Sequence, residues 1–169
     1  DRINDSFSTT IKLLQDSLKQ HGKIIVTGIG KNLPIGQKMA ATFASTGAPA
    51  IVLHPIEALH GDLGLVAATD VVLAMSYSGE TEELLNLIPI LRRIGVKVIA
   101  MTGKTDSALA RLSDAVLNVA VEREACPFNM APTSSTTATL AMGDALALVL
   151  LESQGFRKED YALLHPGGS

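Results

Sequence analysis

A doubly wound α/β domain, a parallel sheet covered by helices on both faces, is the fold class this sequence predicts. Short apolar, β-branched runs alternate with helix-periodic segments along the whole chain, and no two runs are joined by a hairpin signal. Hydrophobic residues make up 47% of the 169 positions, which suits strands buried on both faces. This length accommodates one domain with a sizeable core.

Taken in order, residues 2–20 place Ile3, Phe7, Ile11, Leu14 and Leu18 at helical spacing, and His21-Gly22 supplies a stop. An amphipathic N-terminal helix follows. Residues 23–30 (KIIVTGIG) read as a strand ending in Gly28-x-Gly30-Lys31, with Pro34 in the first turn of a helix over 34–46. At such a junction unpaired amides and the positive end of the helix dipole meet, so an anion can settle there. Leu33 occupies the place of the third glycine of a GxGxxG fingerprint and there is no Walker-type loop, which argues against a nucleotide module. Lys31 is placed to meet a phosphate or a sugar hydroxyl as a point charge; the alternative is a solvated surface lysine.

Gly47-Ala48-Pro49 leads into a short strand over 50–53 ending at His54-Pro55, with His60-Gly61-Asp62 in the loop beyond. Two histidines at one strand end draw attention, although one cysteine and scattered histidines give no tetrahedral zinc spacing. The run Val71-Val72-Leu73-Ala74 then stops in Ser76-Tyr77-Ser78-Gly79-Glu80-Thr81, ahead of a helix over 80–94 that carries Pro89 and should kink there. Hydroxyl donors from Ser76, Ser78 and Thr81, and a glycine that admits close backbone approach, suggest a phosphate cradle. The competing reading is a hydroxyl-rich turn that caps the helix. A strand over 96–101, a short helix over 107–112 and a last strand over 115–121 complete the alternation.

Residues 122–127 (EREACP) form a polar mouth. Ala131-Pro132-Thr133-Ser134-Ser135 opens a helix to about 152 that is apolar nearly all round, so part of it is expected at a subunit interface, and Asp144 within it needs a partner. A short helix over 157–164 precedes His165-Pro166-Gly167-Gly168-Ser169. Ending on such a loop suggests a truncated chain. Net charge −3 offers no basic footprint for nucleic acid, and the single cysteine, Cys126, excludes an internal disulfide. No uninterrupted apolar run reaches membrane-spanning length, and a cytoplasmic setting is expected.

GxGK, SxSGET, EACPxxxAPTSSTTATLxMGDALA and HPGG together resemble the sugar isomerase (SIS) domain of the arabinose-5-phosphate isomerases of Kdo, lipopolysaccharide and capsule synthesis. The resemblance runs from about residue 22 to the end. It implies a three-layer αβα sandwich with a five-stranded, flavodoxin-like parallel sheet, a single SIS domain over 1–169 that continues into a CBS pair, and a homotetramer with sites shared between subunits. It further implies interconversion of arabinose 5-phosphate and ribulose 5-phosphate through an enediol, with a phosphosugar as partner and no cofactor required. Carried over by position, the catalytic set is Lys31, His60, Glu83, Glu124 and His165. The substrate-binding set is Gly30, Asn32, Gly47, His54, Ser76, Ser78, Thr81, Ser134 and Ser135, and His54 matches an inhibitory zinc position. For Glu83 the alternative is a carboxylate that complements the helix dipole. Asn32-Leu33-Pro34 replaces the family's usual Ser-Gly-His, which removes one hydroxyl donor near the phosphate, although the Asn32 amide can donate in its place. Alternative functions are an isomerase for another phosphosugar and a non-catalytic phosphosugar sensor.

Overall fold

The computed structural model describes residues 3–167; Arg2, the predicted start of the first helix, and Gly168, the last glycine of HPGG, lie outside them. Five parallel strands stand in the order β2-β1-β3-β4-β5. They are β1 (Ile24–Gly28), β2 (Ala50–Val52), β3 (Val71–Met75), β4 (Lys97–Thr102) and β5 (Ala115–Asn118). Strands β1 and β3 are buried along their whole length, so both show as continuous apolar runs. Register pairs Gly28 with Met75 and Met75 with Met101, which aligns the carboxyl ends of the three central strands.

Side chains alternate between two cores. Val26, Leu73 and Met75 meet Phe43 and Leu146 on one side, under α1 (Asp5–Lys19), α2 (Asn32–Ser45) and α6 (Ser134–Ser153). Ile25, Val72 and Ala74 meet Leu87, Ile88 and Leu91 on the other, under α3 (Pro55–Leu59), α4 (Glu82–Ile94) and α5 (Ala108–Arg111). Each fully buried Leu, Ile or Phe contributes about 1.5–3 kcal/mol relative to exposure, so these two layers hold the sandwich together. Because the chain moves from β1 to one side for β2 and to the other for β3, a crevice opens at the carboxyl ends of β1 and β3, where ligands settle in such sheets.

Several elements depart from expectation, each for a local reason. The first helix begins at Asp5, because the Asn4 side chain accepts the Ser6 amide at 3.0 Å and caps it. Residues 55–65 are α3 and a 3₁₀ turn (Asp62–Leu65) rather than loop: Pro55 occupies the first helical position and His54 Nδ1 accepts the Ile56 amide at 3.3 Å. Helix α4 starts at Glu82 rather than at residue 80, with Thr81 extended at its N-cap, and it contains the exposed Pro89. Strand β5 stops at Asn118, whose Oδ1 accepts the Ala120 amide at 2.8 Å and turns the chain out of the ladder. Helix α6 is long and apolar enough to cross a membrane by length and composition, but its buried positions belong to the domain core and Asp144 on it pairs with Lys38. A last helix, α7 (Lys158–Leu164), starts with the Arg157 amide donating to Asp160 Oδ2 at 2.8 Å.

Candidate active site

The loop after β3 is a closed knot of hydroxyls. Ser76 Oγ lies 2.7 Å from Thr81 Oγ1 and 3.4 Å from Ser78 Oγ, and it accepts the Gly79 amide at 3.0 Å. Ser78 Oγ accepts the Glu80 amide at 3.2 Å. These side chains therefore cap the loop's own amides. No side chain caps α4, which leaves the amides of its first turn without intrahelical partners, available to a ligand or water. Gly79 serves packing rather than ligand approach: at φ +67 its missing Cβ would lie 1.9 Å from Ser107 Oγ. Glu80 Oε1 fastens the same loop to α5 by accepting the Ala108 amide at 2.8 Å.

Beside this loop opens a cavity of about 520 Å³, lined by Lys31, Asn32, Tyr77, Lys104, Glu124 and Ser135 among others. That volume suits a small ligand. Lys31 stands exposed at the N-cap of α2. Asn32 donates from Nδ2 to the Met75 carbonyl at 3.3 Å, so one of its two amide hydrogens ties the start of α2 to the end of β3 and the other remains for a ligand. Lys31, Lys104 and Arg123 bring positive charge to the lining, and Glu122 and Glu124 bring negative charge.

Glu124 is the most tightly held of these groups. Its Oε2 accepts the Thr133 amide at 2.8 Å, the Thr133 hydroxyl at 3.1 Å and the Ser135 amide at 3.1 Å, so a carboxylate from another segment caps α6. Asn129 Oδ1 in turn accepts the Glu124 amide at 2.7 Å. Hydrogen bonds from Ser135 and then Thr133 lower the Glu124 carboxyl from 4.5 to about 2. A folded-state value below the unfolded one stabilises the protein at higher pH, and that contribution fades as pH falls from about 4.5 towards about 2. Glu124→Gln should therefore lower the urea midpoint near neutrality and shrink the difference between about pH 6 and about pH 3. An unchanged pH dependence would rule out the cap.

The remaining predicted residues do not line this cavity within one chain. Ser76, Ser78 and Thr81 sit in the neighbouring hydroxyl knot, and Glu83 occupies the first turn of α4, where its charge complements the dipole. Gly30 takes φ +62 at the turn between β1 and α2 with open space where a Cβ would stand. Ser134 begins α6 and faces a separate open groove. Gly47, at φ +87, precedes β2 at the amino edge of the sheet, and a Cβ there would strike the Phe156 ring at 2.5 Å. Within one chain it packs on Phe156, away from the cavity. His54 caps α3 through Nδ1, and among the described residues no group of three His, Cys, Asp or Glu could hold a metal. His60 follows α3, exposed, and His165 ends α7 with Nδ1 2.8 Å from the Tyr161 carbonyl oxygen and its ring stacked on Tyr161 at 3.9 Å.

Tyr77 and Lys104 are cavity residues that the sequence reading missed. Tyr77 sits at the variable position of SxSGET, and Lys104 reaches the site because β4 lies beside β3. Neither fact is a motif.

The SIS domain model matches residues 17–149. The chain is 50% identical over 168 residues to the arabinose 5-phosphate isomerase KdsD of Pseudomonas aeruginosa, covering 99% of this chain and 51% of that protein. It is 58% identical over 148 residues to the protein of that name from Escherichia coli K12, covering 88% and 45% respectively. The chain thus spans about half the length of these curated relatives. An Escherichia coli protein solved in complex with arabinose 5-phosphate superposes with a TM-score of 0.91 at 43% identity, covering 96% of this chain and 85% of that one.

Proposed function

Because the chain belongs to the SIS domain family, we propose that it is an aldose-ketose isomerase interconverting D-arabinose 5-phosphate and D-ribulose 5-phosphate. The observation that carries this reading is the pairing, at one crevice, of a hydroxyl loop opening a helix with a cavity holding Lys31 and Glu124. Support comes from the 43%-identical structure in complex with arabinose 5-phosphate. In this reading the phosphate rests at the loop of Ser76, Ser78 and Thr81 and the first turn of α4, so binding energy at the far end positions the carbonyl end.

A base takes the proton from C2 of the open-chain aldose, leaving an enediolate, and a proton is delivered to C1 while the O2 hydroxyl proton passes to O1. Lys31 stabilises the oxyanion. Glu124, lowered to about 2, is a weak base, so it is assigned the electrostatic and orienting role and the proton transfer goes to an imidazole, His165 first. His60 assists ring opening. No cofactor is needed for proton transfer alone. Both histidines lie off the cavity in one chain, while α6 exposes Leu148 (59%) and Val149 (37%) and α7 exposes Leu163 (80%), which favours an oligomer, a homotetramer by our reading, that completes the site. The proposed setting is the cytoplasm, in supply of arabinose 5-phosphate for Kdo synthesis.

Incubation with arabinose 5-phosphate in deuterated water should give ribulose 5-phosphate and deuterium at the C1/C2 positions. No ketose and no exchange would remove the assignment, and a phosphosugar bound without turnover would make the domain a sensor.

A further inference from the structure

We infer that Tyr77 is a positioning residue for this reaction, its phenol fixing the segment that carries Glu124 against the phosphate loop. The inference rests on the isomerase reading of the same cavity. Strand β5 ends at Asn118, and the Val119 amide makes a last bond to the Thr102 carbonyl at 2.9 Å. Two residues later the chain has left the sheet. There the Tyr77 hydroxyl accepts the Val121 amide at 3.1 Å and faces the Val121 carbonyl at 3.4 Å. A side chain thus takes the place of a neighbouring strand three residues before Glu124.

The other end of Tyr77 is held just as firmly. Its carbonyl accepts the Gly103 amide at 3.0 Å and the Thr102 hydroxyl at 3.2 Å. Its ring fills the place of a side chain at Gly103, where an added Cβ would lie 2.6 Å from the ring. With backbone, ring and hydroxyl all fixed, Tyr77 sets the spacing between the loop from Ser76 to Thr81 and the Glu124 segment. That spacing matters because the substrate spans it, phosphate at one end and carbonyl at the other. A misplacement of about 1 Å at such distances costs turnover while leaving binding of the far end intact.

A residue that merely fills space would act through its ring, whereas the proposed coupling acts through its hydroxyl. Tyr77→Phe keeps the ring and removes both oxygen contacts. Expected are exchange of the Val121 amide faster by about tenfold or more and kcat lower by about tenfold with KM for arabinose 5-phosphate within about twofold. Tyr77→Leu, which also empties the slot at Gly103, should show at least the same loss of kcat. Two results overturn the inference: wild-type kcat in Tyr77→Phe, whatever the exchange rate, or impairment confined to Tyr77→Leu. A wild-type chain inactive on the sugar would instead reject the isomerase reading, and the exchange data would still report whether the phenol holds Val121.

Discussion

Gly79→Ala is expected to destabilise the domain by about 2–5 kcal/mol and to abolish phosphosugar binding. Two separate penalties add. A residue with a Cβ in the left-handed region, where Gly79 sits at φ +67, costs about 1–2 kcal/mol. The new methyl would also lie 1.9 Å from Ser107 Oγ and 2.3 Å from Ser107 Cβ, and overpacking of this kind costs about 1–3 kcal/mol. Ser107 has little freedom to retreat: it is buried, and its hydroxyl accepts the Ala110 amide at 3.3 Å to cap α5. The loop must therefore shift, carrying Ser76 and Thr81 with it. Adding Ser107→Gly to Gly79→Ala removes the clash but leaves the backbone penalty, so the double variant should regain part of the stability. Urea unfolding and calorimetric titration with arabinose 5-phosphate check both. If Gly79→Ala bound and unfolded as wild type does, the packing of Gly79 on Ser107 would not be what holds the loop.

Burial on two faces made the sheet legible from the sequence. Strands β1 and β3 are buried throughout, so they had to be continuous apolar runs, and the helices between them had to return the chain in parallel. Short elements were opaque for the opposite reason: α3 has five residues, too few for a helical period to show, and its only signal was Pro55 after His54. The end of β5 depended on the Asn118 side chain bonding locally instead of yielding to the ladder. Site residues divided along the same line. Lys31, Asn32, Glu124 and Ser135 lie in or beside recognisable motifs and line the cavity. Tyr77 and Lys104 come together because β3 and β4 are neighbours, and strand order is not written in any local pattern. Within one chain Gly47, just ahead of β2, lies at the amino edge, across the sheet from the crevice, a placement that no motif marks. The acidic pKa of Glu124 was equally hidden, since its cause is a helix beginning at Ser134.

Mixing two inactive variants should restore activity if the site is built from more than one subunit. His165→Ala and Lys31→Ala are each expected to lower turnover by about 100-fold or more, the first by removing the imidazole, the second by removing the cation at the oxyanion. Neither should unfold the domain, because Lys31 is exposed and His165 stacks only on Tyr161 of its own helix. Within one chain Lys31 lines the cavity and His165 does not. In the proposed shared site, Lys31 comes from one subunit and His165 from another. In oligomers refolded from equal amounts of the two variants, a site receives an intact Lys31 half the time and an intact His165 half the time, so about a quarter of wild-type turnover should return. Were both residues used from the same chain, every site would carry one lesion and the mixture would stay near the 100-fold loss. Refolding the variants separately before mixing supplies the control, since subunits that cannot exchange cannot complement. Absence of recovery in the co-refolded sample, with oligomers demonstrably mixed, would confine the site to one chain and require α7 to fold back onto its own cavity.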